Sequence, residues 1–95
     1  MYALGHGVAQ DYAEAAKWYR KAAEQEDALA QSALGNMYRL GVGVAQDYVQ
    51  AHMWFNLAAT QGHKNAVKLR DLVASKMTRD QIAEAQRRAR EWKPK

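Results

Sequence analysis

Shifting the 95-residue sequence by 36 positions sets MYALGHGVAQDY, residues 1–12, on MYRLGVGVAQDY, residues 37–48, with ten of twelve positions identical. The register continues with Ala15 on Ala51, Trp18 on Trp54, Tyr19 on Phe55, Ala22 and Ala23 on Ala58 and Ala59, and Gln25 on Gln61. A period in the thirties without strand alternation specifies a helix-turn-helix unit that cannot bury its apolar face alone and must stack on its neighbours. The expected fold is therefore all-α: a right-handed solenoid of about five helices. At this length a two-domain enzyme is excluded. One proline and six glycines leave little material for a β-architecture, and 48% hydrophobic with 25% charged residues suits an ordinary folded domain.

Each unit explains itself physically. From Ala28 to Leu40 the residues Ala30, Ala33, Leu34, Met37 and Tyr38 fall at helical spacing on one face. Gly41 and Gly43 then break the helix, because glycine takes the left-handed C-cap conformation without steric cost. Asp47 with Gln50, like Asp11 with Glu14, reads as a cap and its capping-box partner, so a second helix should start at each aspartate. Its stripe is Ala51, Trp54, Phe55, Ala58 and Ala59, matched by Ala15, Trp18, Tyr19, Ala22 and Ala23. Large aromatics facing small alanines let neighbouring helices approach closely, and both Trp18 and Trp54 are expected in the core.

The spacing A-x-x-x-L-G-x-x-Y-x-x-G-x-G-V-x-x-D, carried by Ala30, Leu34, Gly35, Tyr38, Gly41, Gly43, Val44 and Asp47 and followed by Ala51, Trp54, Ala58, Ala59 and Gly62, closely resembles the Sel-1-like repeat, a relative of the tetratricopeptide repeat. The resemblance covers about two-thirds of the chain: a partial repeat over 1–27 and a full one over 28–63, with 64–95 a degenerate third unit and capping helix in a single repeat domain. Glu26 stands where the repeat's closing glycine is expected, and the opening repeat retains only the end of its first helix, as in a piece of a longer repeat protein. The resemblance implies an adaptor or scaffold, as in bacterial members with envelope, stress or host-facing roles; a cytoplasmic or periplasmic location is left open.

After Gly62, the stripe Ala66, Leu69, Val73 and Met77 predicts a helix over 64–77. Thr78 and Gln81 then form a capping box, and Ile82, Ala85, Ala89 and Trp92 stripe a last helix ended by Pro94. Charge is uneven, with a net −2 over residues 1–63 and +6 over 64–95. A basic C-terminal helix with Arg87, Arg88 and Arg90 could attract nucleic acid or an anionic surface, but the interspersed Glu84 and Glu91 favour an ordinary solvated face. Nucleic acid is therefore not the expected partner.

The search for chemistry yields little. There is no cysteine, hence no disulfide, thiol nucleophile or Cys-ligated zinc. His6, His52 and His63 lack ligand spacing; His63 reads as a cation near a helix C-terminus. Gly41-Val42-Gly43 follows a helix and lacks the Lys-Ser/Thr of a phosphate loop. The carboxylates Glu24, Glu26 and Asp27 lie in an exposed linker where nothing would raise a pKa. We expect no enzyme, no cofactor and no metal. Nor does any apolar run approach the roughly 20 residues of a membrane span.

Binding is expected on the row of first-type helices that, by the resemblance, lines a concave surface: Gln31, Ser32, Asn36, Arg39 and Lys68, facing outward to a partner protein or peptide. Met53 and Leu57 replace Lys17 and Lys21 of the earlier repeat and make an apolar step, to be covered by the last helix or to serve as an interface. The incomplete opening repeat leaves Tyr2, Trp18 and Tyr19 short of a partner, which a second copy of the chain could supply. A different class, cell-envelope ligand binding or β-lactam or peptidoglycan-related activity, is known among bacterial relatives of this type, but those are cysteine-rich.

Overall fold

A computed structural model describes residues 8–94. It contains α1 (Val8–Glu24), α2 (Ala28–Leu40), α3 (Tyr48–Thr60), α4 (Lys64–Ala74) and α5 (Arg79–Glu91), with no strand among the described residues. Helices α2 and α4 are the first-type helices of two successive units, and α1, α3 and α5 the second-type. Helix α3 is central, packing on α2, α4 and α5, while α1 packs on α2.

The core sits around α3. Ala51, Phe55 and Ala58 are fully buried and Trp54 nearly so, against Leu34 and Tyr38 of α2, Ala66 and Val73 of α4, and Ala85 of α5. Gly35 permits the α2–α3 approach, since a Cβ there would lie 2.8 Å from the edge of the Phe55 ring. Gly43 serves a turn and a contact together: its φ is +76°, and a Cβ would meet the Tyr12 carbonyl of α1. Gly41 closes α2 at φ +72°, its N–H donating to the Met37 carbonyl.

The two repeat junctions match bond for bond. Gln25, Glu26 and Asp27 donate from their backbone N–H groups to the Ala22, Ala23 and Ala22 carbonyls, and Gln61, Gly62 and His63 donate to those of Ala58, Ala59 and Ala58. Gly62 has φ +89°, and Glu26, its counterpart, is held at φ +70°. The missing glycine of the first repeat thus leaves a glutamate in the left-handed region.

Several expectations change. Helix α1 starts at Val8, three residues before Asp11, which therefore lies in the first turn and not at the cap. The same Val-Ala-Gln tripeptide is non-helical at 44–46, where the Asp47 N–H is held by the Tyr38 carbonyl at 2.9 Å, so tertiary context decides its conformation. Trp18 is 62% and Tyr19 42% exposed, against 2% and 0% for Trp54 and Phe55. They are not core, because among the described residues α1 has no helix lying on it as α2 lies on α3. Helix α4 ends at Ala74, three residues short of expectation: the Ser75 hydroxyl donates to the Leu72 carbonyl, and the chain turns toward the Thr78 cap. The Thr78–Gln81 capping box is present in both directions.

Candidate protein-binding groove

A first-type helix in the middle of a stack has three neighbours. Helix α2 meets α1, α3 and, along a narrower seam, α4, so only a thin arc of its surface faces out. That arc is Leu29, Ala33, Asn36 and Leu40, at i, i+4, i+7 and i+11. Leu29 is 70% and Leu40 54% exposed. Across from them α4 and its leading residue bring His63, Asn65 and Leu69, and the two helices enclose an open groove of about 310 Å³ lined by these three, Leu29, Ser32, Ala33 and Asn36, with Leu40 outside it.

The expected row is thus partly misplaced. Gln31 is 1% exposed and cannot meet a partner: its Nε2 donates to the Ala23 carbonyl of α1 at 3.2 Å, and its Oε1 accepts from Gln61 Nε2 at 3.0 Å. It ties three helices together at the junction. Ser32 is also buried, at the floor of the groove. Asn36 and Arg39 remain half-exposed and paired, the Asn36 Oδ1 accepting from Arg39 Nε at 2.8 Å and Nη2 at 2.6 Å. This leaves the Asn36 amide nitrogen to donate outward. Lys68 is exposed on α4. The groove members Leu29, Ala33, His63, Asn65 and Leu69 were missed as binding residues. An available signal was the i, i+11 pair Leu29 and Leu40, apolar but off the packing stripe.

His63 is the N-cap of α4, and its ring makes no capping bond. Helix α2 contains no carboxylate, His63 and Asn65 line the groove, and Arg39 on α2 and Lys68 on α4 add positive charge to the two helices that form it.

The other candidate surface is closed. Met53 is buried in the core and Leu57 is packed against it, because α5 lies on α3. Trp92, the C-cap residue of α5, meets Trp54 edge to face, the centroids 5.8 Å apart. Met53 and Leu57 are therefore internal packing rather than an interface. On the solvent side of α5, Arg87 bonds Glu84 and Glu91, and Arg88 bonds Glu84, which holds the Glu84 carboxyl below its usual range. Among the described residues no group of three or more His, Cys, Asp or Glu could hold a metal. No described helix is long and apolar enough to cross a membrane.

His52 is buried on α3, and its Nδ1 has no hydrogen-bond partner. Burial first, and Arg70 second, push its pKa below the ordinary value, with Asp71 opposing. Of the repeat motif, Leu34, Gly35, Tyr38 and Trp54 are core, Gly41, Gly43 and Gly62 hold positive-φ turns, and Asp47 caps α3 by accepting from the Gln50 N–H at 3.1 Å.

The family model for the Sel1 repeat matches residues 1–27 and 28–63. The chain belongs to the Sel1 repeat family. Consistent with this, it superposes with a TM-score of 0.84 and 38% identity on the crystal structure of c5321, a protective antigen present in uropathogenic Escherichia coli strains and displaying an SLR fold. The match covers 87% of this chain and 18% of that protein. No curated protein sequence matches the chain. Sel1 repeats generally act as protein-interaction modules.

Proposed function

We propose that this chain is a non-enzymatic adaptor that holds a segment of a partner protein in the groove between α2 and α4. The observation that carries the reading is the groove in which the exposed Leu29, with Ala33 and Asn36, shares its lining with Leu69 and Asn65, the exposed Leu40 extending the same stripe of α2 beyond it. Leucines this exposed, flanking an amide and a guanidinium, offer apolar anchoring with hydrogen bonds that fix register. The carboxylate-free α2, with Arg39, His63 and Lys68 at hand, favours a partner segment that pairs an apolar side chain with a carboxylate.

The test is affinity capture from the source cell with the wild-type chain beside an Asn36→Ala, Arg39→Glu double variant and a Leu29→Asp variant, each matched for helix content. Leu29 is 70% exposed, and Asn36 and Arg39 are partly exposed and bonded to each other, so folding should survive. The reading predicts a defined set of proteins retained by the wild type and lost by both variants. Identical retention by all three chains would refute it.

A further inference from the structure

The chain fills the N-terminal caps of α2, α3 and α5 from within: Asp27, Asp47 and Thr78 accept the backbone N–H of Ala30, Gln50 and Gln81. Helix α4 is not treated this way. His63 stands at its cap without a capping bond, and the Lys64 and Asn65 N–H groups have no partner among the described residues. Such an end carries partial positive charge and free donors, the combination that holds an anion.

An open cap marks nothing by itself, and the second observation comes from the facing helix. Ser32 is 7% exposed and lines the same groove as His63 and Asn65, yet its hydroxyl has no hydrogen-bond partner among the described residues. The hydroxyls of Thr60 and Ser75 donate to carbonyls one turn back, at Leu57 and Leu72, as helix hydroxyls commonly do. Ser32 does not, and its polar end opens on the groove. Asn36 beside it has Oδ1 engaged by Arg39 and its amide nitrogen free to donate.

Charge and shape complete the description. No carboxylate lines the groove, and Arg39, Lys64 and Lys68 lie on the two helices that form it. Leu29, Ala33 and Leu69 make the rest of the wall apolar. The occupant must therefore bring an anion and an apolar side chain close together.

We infer that the groove receives the C-terminus of its partner protein, the terminal carboxylate accepting from the first turn of α4 and the Ser32 hydroxyl, and an apolar last side chain lying between Leu29 and Leu69. This rests on the groove reading above and narrows it from a segment to a chain end. A chain end carries both features on one Cα, whereas an internal segment needs two residues to supply them, and backbone N–H groups are a known means of holding a terminal carboxylate. A phosphate fits less well, because its charge calls for guanidinium forks or clustered ammonium groups, and the lining offers neutral donors and one imidazole.

The probe is a pool of short peptides randomised at their last positions, made once as free acids and once as C-terminal amides, passed over the immobilised full chain and read by mass spectrometry. Retained free acids should share an apolar last residue and exceed their amides by about tenfold or more, as for loss of a charge-assisted hydrogen bond. His63→Asp and His63→Asn place a capping side chain on α4, which supports folding while taking the free N–H groups, and both should abolish that preference. Ser32→Ala should weaken it. Equal retention of acids and amides, an unchanged preference in the two His63 variants, or stronger retention of phosphoserine peptides than of free acids would overturn the inference. In the capture from the source cell, proteins lost with Leu29→Asp but kept by His63→Asp would overturn this inference alone. Identical capture by Leu29→Asp and wild type would overturn the groove reading and this inference with it.

Discussion

Replacing Glu26 with glycine should stabilise the protein. Glu26 is held at φ +70° by the junction that holds Gly62 at φ +89°, and both sit in the same pattern of backbone hydrogen bonds. A side chain in the left-handed region costs about 1–2 kcal/mol. Glycine returns about 0.4–1 kcal/mol of that through its larger unfolded-state entropy. The net gain from Glu26→Gly is then about 0–1.6 kcal/mol, centred on about 0.8 kcal/mol, which for a domain of this size raises Tm by about 3–6 °C. Glu26→Ala separates conformation from charge: it removes the carboxylate, keeps the Cβ and should give no comparable gain. Gly62→Ala is the mirror experiment, because a Cβ there meets nothing within 4 Å and the loss of similar size is purely conformational. Thermal unfolding followed by helix ellipticity at one pH measures all three. If Glu26→Gly is neutral or destabilising while Gly62→Ala is also neutral, the argument that the repeat demands a left-handed residue at its close is wrong.

Gly35→Ala should destabilise by about 1–3 kcal/mol through overpacking against Phe55, read as a lower urea midpoint at unchanged slope. Gln31→Leu should cost about 1–3 kcal/mol, because it removes two hydrogen bonds that tie the junction and leaves the Ala23 carbonyl with the Glu26 N–H alone, again by urea titration. Trp92→Ala should cost about 1–3 kcal/mol by uncovering Trp54, with a red shift in tryptophan emission as that indole meets water. His52 makes stability pH-dependent: its folded pKa lies below the ordinary 6.5, so the unfolded chain takes the proton first. Its contribution is fully present above about pH 6.5 and declines as pH falls toward the folded pKa, by no more than about 1.4 kcal/mol per pH unit. Urea midpoints between pH 7.5 and 5 should fall less steeply for His52→Gln than for the wild type.

Most of the fold was legible because the repeat states each packing relation twice. Gly41, Gly43 and the Thr78 cap were readable from spacing, since each answers a local steric or hydrogen-bonding demand, Trp54 from the apolar stripe of α3, and Gly35 came with the resemblance to the repeat. The different conformations of Val-Ala-Gln at 8–10 and 44–46 were not, because the two tripeptides are identical in sequence. The groove was half legible. Helical periodicity separates the face toward α3 from its opposite, but it carries no information about the flanks. Helix α1 claims Gln31 and the groove floor claims Ser32, and those are relations between units rather than within one. Trp18 shows the same limit from the other side: its sequence position matches that of Trp54, and only the presence of a covering helix makes one core and the other surface.

The central claim is that the α2–α4 groove is where a partner binds. A photo-crosslinking amino acid placed at Leu29 on the groove and, as a control, at Arg79 at the exposed start of α5 tests this in the source cell. The account predicts discrete crosslinked proteins from Leu29 that are absent from Arg79 and that disappear when Asn36→Ala and Arg39→Glu are combined with it. Crosslinks of equal number and identity from both positions, or from Leu29 unaffected by the double substitution, would contradict it.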